Sequence, residues 1–304
     1  MIGFLFGVLV YPGIAFMVLF SMVYYGGLRK LAARMQNRMG PPLLQPLYDV
    51  LKLFGKESIR PEQAKSGYTL WPLVAFAAAV TAGLMTPMAG ITVLETTGGF
   101  LLLIYFLVMA AISVYMAGFA SSNPYSTVGA MRGVMQIIGY EFPFIVSLLV
   151  PFMFVNTISP SVVNAYQATS GFPWIGVLFP FAAIAYFVSI LAKTELPPFH
   201  VPDAHQEIVT GYMTEYSGFR LALLELVHMI KIFVLVSLGI AVFLGGSSAG
   251  LLGLGAFALK AVILLVVIAL ARVVFARVRI DHVVKVCWIF GAIALIDLAR
   301  VLLF

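Results

Sequence analysis

Residues 219–243 read FRLALLELVHMIKIFVLVSLGIAVF. A run of about 20 mainly apolar residues forms a helix long enough to cross the ~30 Å hydrocarbon layer of a membrane. This run also carries Glu225, His228 and Lys231, whose spacing places all three within one arc of a helix. Ionisable groups inside a membrane are costly and commonly belong to a path for ions or protons. The stretch therefore predicts a transmembrane helix with a functional polar side.

The composition extends this interpretation to the whole chain. Of the 304 residues, 62% are hydrophobic and 10% are charged, whereas about 25% are charged in a typical soluble domain. We predict eight membrane spans, at 2–25, 69–88, 99–120, 133–155, 172–192, 219–243, 251–273 and 284–303. The expected fold is an all-α integral membrane protein, forming a single polytopic domain over residues 1–304.

Lys and Arg fall on alternate connections between these spans. The segments near 89–98, 156–171 and 244–250 contain neither residue, whereas the other connections are basic. The positive-inside rule makes the basic segments cytoplasmic. We therefore expect cytoplasmic loops at about 26–68, 121–132, 193–218 and 274–283, and both termini outside the cell membrane.

The first loop contains a short predicted helix between Pro46 and Gly55. Apolar residues recur on one face of it, at Leu47, Val50, Leu51 and Phe54. This pattern indicates an amphipathic helix lying along the membrane surface or beneath a partner, although an ordinary covering helix is the alternative. The length and charge of the loop favour docking of a cytoplasmic partner. The docking residues that we expect on this side are Arg34, Arg38, Asp49, Lys52 and Arg132.

Further ionisable residues lie inside the predicted spans. Glu141 is about 12 Å deep in span four, counted at 1.5 Å per residue. Lys260 is expected at about the depth of Lys231, and Asp297 lies slightly nearer the outer surface. With Glu225 and His228, these residues predict a proton or ion path. Internal salt bridges that hold the helices together are the alternative.

The loop at 193–218 collects acids and histidines. Asp203 and Glu207 share a face if Pro202 starts a helix, whereas His205 is rotated by ~200° from Asp203. This geometry disfavours a metal site. Two carboxylates on one face suit proton transfer, with Glu215 farther along the loop and His200 and His205 as possible relays.

Three stretches resemble one protein family. They are NRMGPPLLQPLYDVLKL at 37–53, SNPYSTVGAMRGVMQIIGYE at 122–141 and PFHVPDAHQEIVTGYMTEYSG at 198–218. The family is the membrane subunit of respiratory complex I that adjoins the quinone chamber. It includes the counterparts in energy-converting membrane-bound nickel–iron hydrogenases, formate hydrogenlyases and related sulfur reductases.

The resemblance implies a coupling subunit of a redox-driven proton or sodium pump. Its partners would be antiporter-like membrane subunits and cytoplasmic hydrogenase-like and iron–sulfur subunits. A nickel–iron centre and iron–sulfur clusters would belong to those partners, and we expect no cofactor, metal or catalytic residue on this chain. Nucleic acid is not an expected partner. By position, the resemblance places Glu141, Asp203, Glu207 and Glu215 in the proton path.

Two departures from the family pattern concern the acidic loop. His200 stands where the motif has Asp, and His205 stands at its middle acid, so the loop carries less negative charge. This difference favours a hydrogenase-like or sulfur-reducing arm over a quinone oxidoreductase, complex I proper, which is the alternative. A stand-alone secondary transporter is a further alternative, but it would predict an internal repeat that we do not detect.

Overall fold

A computed structural model describes residues 7–96, 98–171, 173–203 and 205–303, with the backbone alone for residues 205 and 206. Within these ranges the chain is helical apart from turns, loops and one isolated bridge between Met88 and Ile91, which confirms the all-α prediction. The helices are α1 Ile14–Met35, α2 Gln45–Gly55, α3 Leu70–Met85, α4 Gly99–Ala120, α5 Pro124–Val155, α6 Pro160–Ser170, α7 Ile175–Leu178, α8 Pro180–Lys193, α9 His205–Ile208, α10 Gly218–Phe243, α11 Leu251–Val274 and α12 Ile280–Leu303.

Seven helical segments of the described chain are long and apolar enough to cross a membrane. They are Gly7–Met35, Ser66–Met85, Gly99–Ala120, Pro124–Val155, Gly218–Phe243, Leu251–Val274 and Ile280–Leu303. Each overlaps a predicted span. The chain is therefore a multi-pass membrane protein, as its composition predicts.

The predicted fifth span, 172–192, has a different form. It is divided at Phe179 into the single turn α7 and the 14-residue helix α8. Pro180 explains the division, because a proline is tolerated in the first turn of a helix but cannot continue the helix before it. Helix α8 alone rises only ~21 Å, less than the hydrocarbon thickness. The count of eight spans stays a prediction.

Two helices extend into segments that the sequence analysis assigned to loops. Helix α5 begins at Pro124, not at 133, because the Asn123 side chain accepts a hydrogen bond from the Tyr125 amide at 2.8 Å and caps the helix. The loop expected at 121–132 is therefore reduced to three residues ahead of α5. Helix α1 likewise continues to Met35, into the expected loop 26–68.

Helix α10 forms the centre of the bundle. Every residue from Met229 to Phe243 is buried, and the helix packs against α1, α2, α3, α6, α7, α8 and α11. A helix that is apolar on all sides is expected in such a central position. Helices α11 and α12 lie at the periphery, and most of their residues are exposed or only partly buried. Lys231, which lies within this buried stretch, is thus held where water has little access.

Helix α2 contacts α1 and α10 through one side only. Val50 is 3% exposed and packs with Met22, Leu226 and Met229, whereas Leu51 on the predicted apolar face is 59% exposed. Part of the predicted apolar face is therefore uncovered within this chain.

Much of the described part of the segment 194–217 folds into the bundle, although Glu207 and Val209 are exposed. Its apolar side chains Leu196, Phe199, Val201, Tyr212 and Tyr216 are all buried. The Tyr216 hydroxyl donates a hydrogen bond to the Ala117 carbonyl at 2.8 Å, and its ring stacks on that of Tyr68. This inward folding brings the loop against the first half of α10.

Candidate functional site

A cavity of about 210 Å³ lies between the inward-folded loop and the first turns of α10. Four residues that the sequence analysis selected line it: His200 and Asp203 from the loop, and Glu225 and His228 from α10. Tyr25 of α1 and Arg272 of α11 also line it. Residues from distant parts of the sequence therefore form one polar chamber.

A second cavity, of about 460 Å³, shares part of its lining with the first. Tyr25, Asp203, Glu225 and Arg272 border both cavities. The second cavity extends to Arg29 on α1 and to Asp49 and Lys52 on α2. Asp49 accepts a hydrogen bond from Gln45 and lies 3.5 Å from Arg29. Two residues expected to dock a partner thus form the wall of a polar passage.

Glu195 lies at the inner end of the first cavity and organises the groups around it. Its Oε1 atom accepts from Lys231 Nζ at 3.1 Å and from the Tyr115 hydroxyl at 2.9 Å, and its Oε2 atom accepts from the Tyr212 hydroxyl at 2.9 Å. Glu195 and Lys231 are each 2% exposed. This is a buried ion pair whose carboxylate accepts three hydrogen bonds.

The backbone at Glu195 is shaped to deliver this carboxylate. The residue adopts the left-handed conformation, with φ at 54°, directly after α8 ends at Lys193. His200 Nδ1 lies 2.8 Å from the Glu195 carbonyl oxygen and ties the following turn back to it. A non-glycine residue in this conformation is sparsely populated and persists where surrounding contacts hold it.

The charge state of Glu195 follows from these neighbours. Burial raises the pKa of the Glu195 carboxyl, but attraction to Lys231 and the hydrogen bonds from Lys231 and Tyr212 lower it by more. The pKa therefore lies below its usual value, and Glu195 is a carboxylate at neutral pH. Burial, together with the charge of Glu195, raises the pKa of the Tyr212 hydroxyl well above its usual value, so Tyr212 remains a hydrogen-bond donor.

A second ion pair involves Lys193, which precedes Glu195 by two residues in the sequence. Lys193 Nζ is 2.5 Å from Glu141 Oε1, and the lysine side chain is fully buried. The ammonium also lies over the Phe144 ring, 4.1 Å from its centroid. Within the described part of the chain, Glu141 Oε2 is buried without a hydrogen-bond partner. Because Lys193 and Glu195 are so close in sequence, the two ion pairs lie beside each other.

Asp203 and Glu207 do not form the carboxylate pair that the sequence analysis predicts. The helix begins at His205, not near Pro202, so Asp203 stays in a turn. Asp203 faces the cavities, whereas Glu207 is exposed and binds Arg132 at 2.6 Å and Arg277. Hydrogen bonds from these two arginines lower the pKa of Glu207. The predicted docking residue Arg132 thus fastens the loop to α5.

Glu215 lies apart from the buried ion pairs. Its carboxylate accepts a hydrogen bond from the Asn123 side chain, and its carbonyl accepts from the Tyr68 hydroxyl at 2.6 Å. The residue borders a surface cavity of about 390 Å³ with Glu62 and Gln63. Its contacts hold the end of the loop against α5.

Lys260 and Asp297 are also far from Lys231. Lys260 Nζ donates to the Gly245 and Gly246 carbonyls at 3.2 and 2.6 Å, beyond the C-terminal end of α10. Since 14 residues separate Lys231 from Gly245, the distance along the helix axis is about 20 Å. The ammonium groups of the two lysines therefore do not lie at the predicted similar depth, because the Lys260 side chain reaches back toward the end of the bundle where α11 starts at Leu251.

Asp297 has a capping role in the described structure. Its Oδ2 atom accepts from the Ala182 amide at 3.0 Å, at the start of α8, and its Oδ1 atom pairs with Arg300 at 2.9 Å. A carboxylate at this position satisfies an amide that would otherwise be unpaired. Asp297 and Arg300 therefore stabilise the break at Phe179. They do not contact Glu225, His228 or Lys231 of α10 in the described structure.

Arg34 and Arg38 are exposed near the end of α1, and Arg38 borders a cavity with Arg29 and Arg272. The His205 side chain lies outside the described residues. No group of three or more His, Cys, Asp or Glu side chains that could hold a metal ion occurs among the residues searched, which are the described ones.

Four residues of the site were missed by the sequence analysis: Lys193, Glu195, Tyr115 and Tyr212. The two tyrosines have no distinguishing sequence signal, because a buried tyrosine is common. The segment Lys193-Thr194-Glu195 does have one, since its opposite charges directly follow a long apolar run and precede Pro197 and Pro198. Two opposite charges at the end of an apolar helix could have indicated that the chain turns inward there. Their partners would then have been expected on neighbouring helices.

Comparison with known proteins gives the same family as the sequence motifs. The family model described as NADH dehydrogenase matches residues 8–302. An NADH-quinone oxidoreductase subunit from Dehalococcoides mccartyi is 32% identical over 284 residues, covering 90% of this chain and 79% of that protein. The corresponding subunit from Rubrobacter xylanophilus is 36% identical over 280 residues, covering 86% of this chain and 83% of that protein.

A solved structure is also similar over nearly the full length. It is a chain of the membrane-bound sulfane sulfur reductase, an archaeal respiratory membrane complex, with a TM-score of 0.90 and 26% identity. The match covers 98% of this chain and 99% of that one. The chain therefore belongs to the NADH dehydrogenase family, as a membrane subunit of the kind found in complex I-related respiratory complexes.

Proposed function

We propose that this chain couples a cytoplasmic electron-transfer arm to ion-translocating membrane subunits in a redox-driven pump. The observation that carries this proposal is the buried charge network of Glu195, Lys231, Lys193 and Glu141 at the inner end of the polar cavities. Buried charges cost free energy and are weak devices for stability, because apolar residues of the same size often stabilise as well. Ion transfer gives such a network a use.

The proposed path begins at the cavity, with Asp203, Glu225 and His228 in contact with its interior. It continues to Glu195 and Lys231, and from there to Lys193 and Glu141. Within each ion pair a proton donor contacts an acceptor, and transfer between the two pairs is part of the proposal. The unpartnered Oε2 atom of Glu141 is then the exit toward a neighbouring membrane subunit.

The lining of the cavities favours one type of arm over another. A quinone with an isoprenoid tail requires an extended apolar channel, whereas these cavities are bordered by Arg29, Asp49, Lys52, Asp203 and Arg272. Such a lining suits water and protons. We therefore propose a hydrogenase-like or sulfur-reducing arm, whose nickel–iron or iron–sulfur centres would be on partner subunits. His200 in place of an acid is consistent with this choice.

The alternative, a quinone-linked complex, is supported by the names of the similar proteins. Those relatives are subunits of NADH-quinone oxidoreductases at 32–36% identity. In that case the same cavities would receive a quinone head group. A purified complex that reduces a quinone and contains an NADH-oxidising subunit would favour this alternative.

We also propose that α7 and α8 together form the eighth crossing. Residues 175–193 would rise about 28 Å if helical throughout. Gly176 lies against the Phe243 carbonyl at one end of the bundle, and Lys193 leads into the loop that binds Arg132 and Arg277 at the other. Eight crossings with basic loops in the cytoplasm place both termini outside the cell membrane.

The arm would dock on the exposed basic end of the protein, at Arg34, Arg38 and the α2 helix with its uncovered Leu51. Mild-detergent purification of the native complex, followed by identification of its subunits, tests this assignment. We expect hydrogenase-like, iron–sulfur and antiporter-like subunits, and redox-driven ion uptake in reconstituted vesicles. Purification of this chain alone, with no associated subunits and no redox-driven uptake, would refute the proposal.

A further inference from the structure

A groove of about 430 Å³ lies at the basic end of the bundle, where α3 begins and α4 ends. It runs between the turn Ser66–Tyr68, the first turn of α3 and the last turn of α4. Leu70, Met116 and Phe119 provide apolar walls, and Leu70 is 56% exposed. Neither the two cavities nor the buried ion pairs share any lining residue with this groove.

Polar groups are confined to one end of the groove. Lys65 borders it, and the Lys65 amide is fixed by a hydrogen bond to the Ala120 carbonyl at 3.0 Å. Arg60 donates to the Lys65 carbonyl at 3.3 Å, which brings a second cation to the same place. Among the described residues, the Lys65 ammonium has no ion-pair or hydrogen-bond partner within the chain.

Trp71 forms the boundary between the polar and apolar parts. Its indole ring packs directly on Gly67, where a side chain would collide with the indole nitrogen. The glycine therefore allows the ring to lie against the turn, with its N–H at the polar end of the groove. Tryptophan is enriched at the level of lipid headgroups, because its ring is apolar and its N–H requires a polar partner.

We infer that this groove binds one anionic phospholipid. The Lys65 ammonium and the Trp71 indole N–H would contact the phosphate, and an acyl chain would lie along Leu70, Met116 and Phe119. The occupant follows from charge and position: the groove is apolar along the spans α3 and α4, and cationic only where those spans reach the basic end of the protein.

The test uses the intact complex, purified in mild detergent and washed to remove loosely held lipid. Native mass spectrometry would count retained phospholipid after incubation with phosphatidylglycerol or with phosphatidylcholine. We expect one phosphatidylglycerol retained in preference to phosphatidylcholine. In Lys65→Gln, binding should weaken about fivefold, the factor for a loss of ~1 kcal/mol per lysine at an anionic surface. Trp71→Phe retains an aromatic ring, removes the N–H and should also weaken binding.

Lys285→Gln is the matched control, since Lys285 is another exposed lysine, located in the second turn of α12. This variant should bind phosphatidylglycerol as the wild type does. Equal retention of both lipids, or unchanged binding in Lys65→Gln, would overturn the inference. A photo-crosslinking residue at Leu70 gives an independent measurement: capture of phospholipid supports the proposal, and capture of a neighbouring subunit overturns it.

Discussion

Replacing Glu195 by Gln tests the central ion pair most directly. The change leaves Lys231 charged and 2% exposed without its carboxylate, and removing one partner of a buried pair costs about 3–5 kcal/mol. The amide also presents a donor where the carboxylate accepted from Lys231 and Tyr115 at one oxygen and from Tyr212 at the other. Glu195→Gln should therefore destabilise the assembled complex severely.

The double variant Glu195→Gln, Lys231→Met separates charge from packing. Methionine has a similar length to lysine and needs no counter-charge, so most of the lost free energy should be recovered. The measurement is the thermal midpoint of the purified complex in lipid nanodiscs, for both single variants and the double variant. The double variant should be clearly more stable than Glu195→Gln alone.

Lys260→Met provides the control for this comparison. Lys260 binds the Gly245 and Gly246 carbonyls and lies 5.4 Å from the centroid of the Trp174 ring, about 20 Å along α10 from Lys231. Its effect should simply add to that of Glu195→Gln. If Lys231→Met fails to rescue Glu195→Gln, the ion pair as described is refuted. If the rescued double variant still pumps at the wild-type rate, the pair holds the helices together and carries no ions.

Three further predictions concern separate parts of the molecule. Glu141→Gln should leave the complex assembled but weaken redox-driven ion uptake in vesicles, and unchanged uptake would remove Glu141 from the path. Because hydrogen bonds from its two arginine partners lower the pKa of Glu207, the contact they provide should persist at neutral pH. It should weaken only in acid below the usual pKa of a glutamate, as Glu207 becomes protonated. Hydrogen exchange of loop amides checks this, and Glu207→Gln should abolish the acid step. Replacing both Arg34 and Arg38 by Glu should release the cytoplasmic arm on native gels, and an arm that stays bound would exclude docking there.

The sequence was sufficient to predict most of the transmembrane helices, because a long apolar run has few alternatives in a membrane. Their ends were less predictable. The start of α5 at Pro124 depends on the Asn123 cap, a local signal that hydropathy does not register. The break at Phe179 likewise depends on a single residue, Pro180, within an otherwise apolar run.

The site was predictable only in part. His200, Asp203, Glu225 and His228 do border one cavity, and their types and positions were evident from the sequence. The partners of Lys231 were not, because helical spacing shows which residues share a face and does not show which loop folds onto that face. Depth counted along the backbone misplaced the Lys260 ammonium, since residue spacing does not show that this long side chain reaches toward the Gly246 carbonyl.

The polar segment after α2 is joined to the start of α10 by three close contacts. Ser58 donates to the Ser217 carbonyl at 3.2 Å, the Ile59 amide donates to the Ser217 hydroxyl at 3.1 Å, and the Gly218 Cα lies against the Lys56 and Glu57 carbonyls. Any displacement of residues 56–59 must therefore break these contacts or move the first turn of α10. Since Lys231 lies on the same continuous helix, a displacement of the first turn of α10 would also shift Lys231 relative to Glu195.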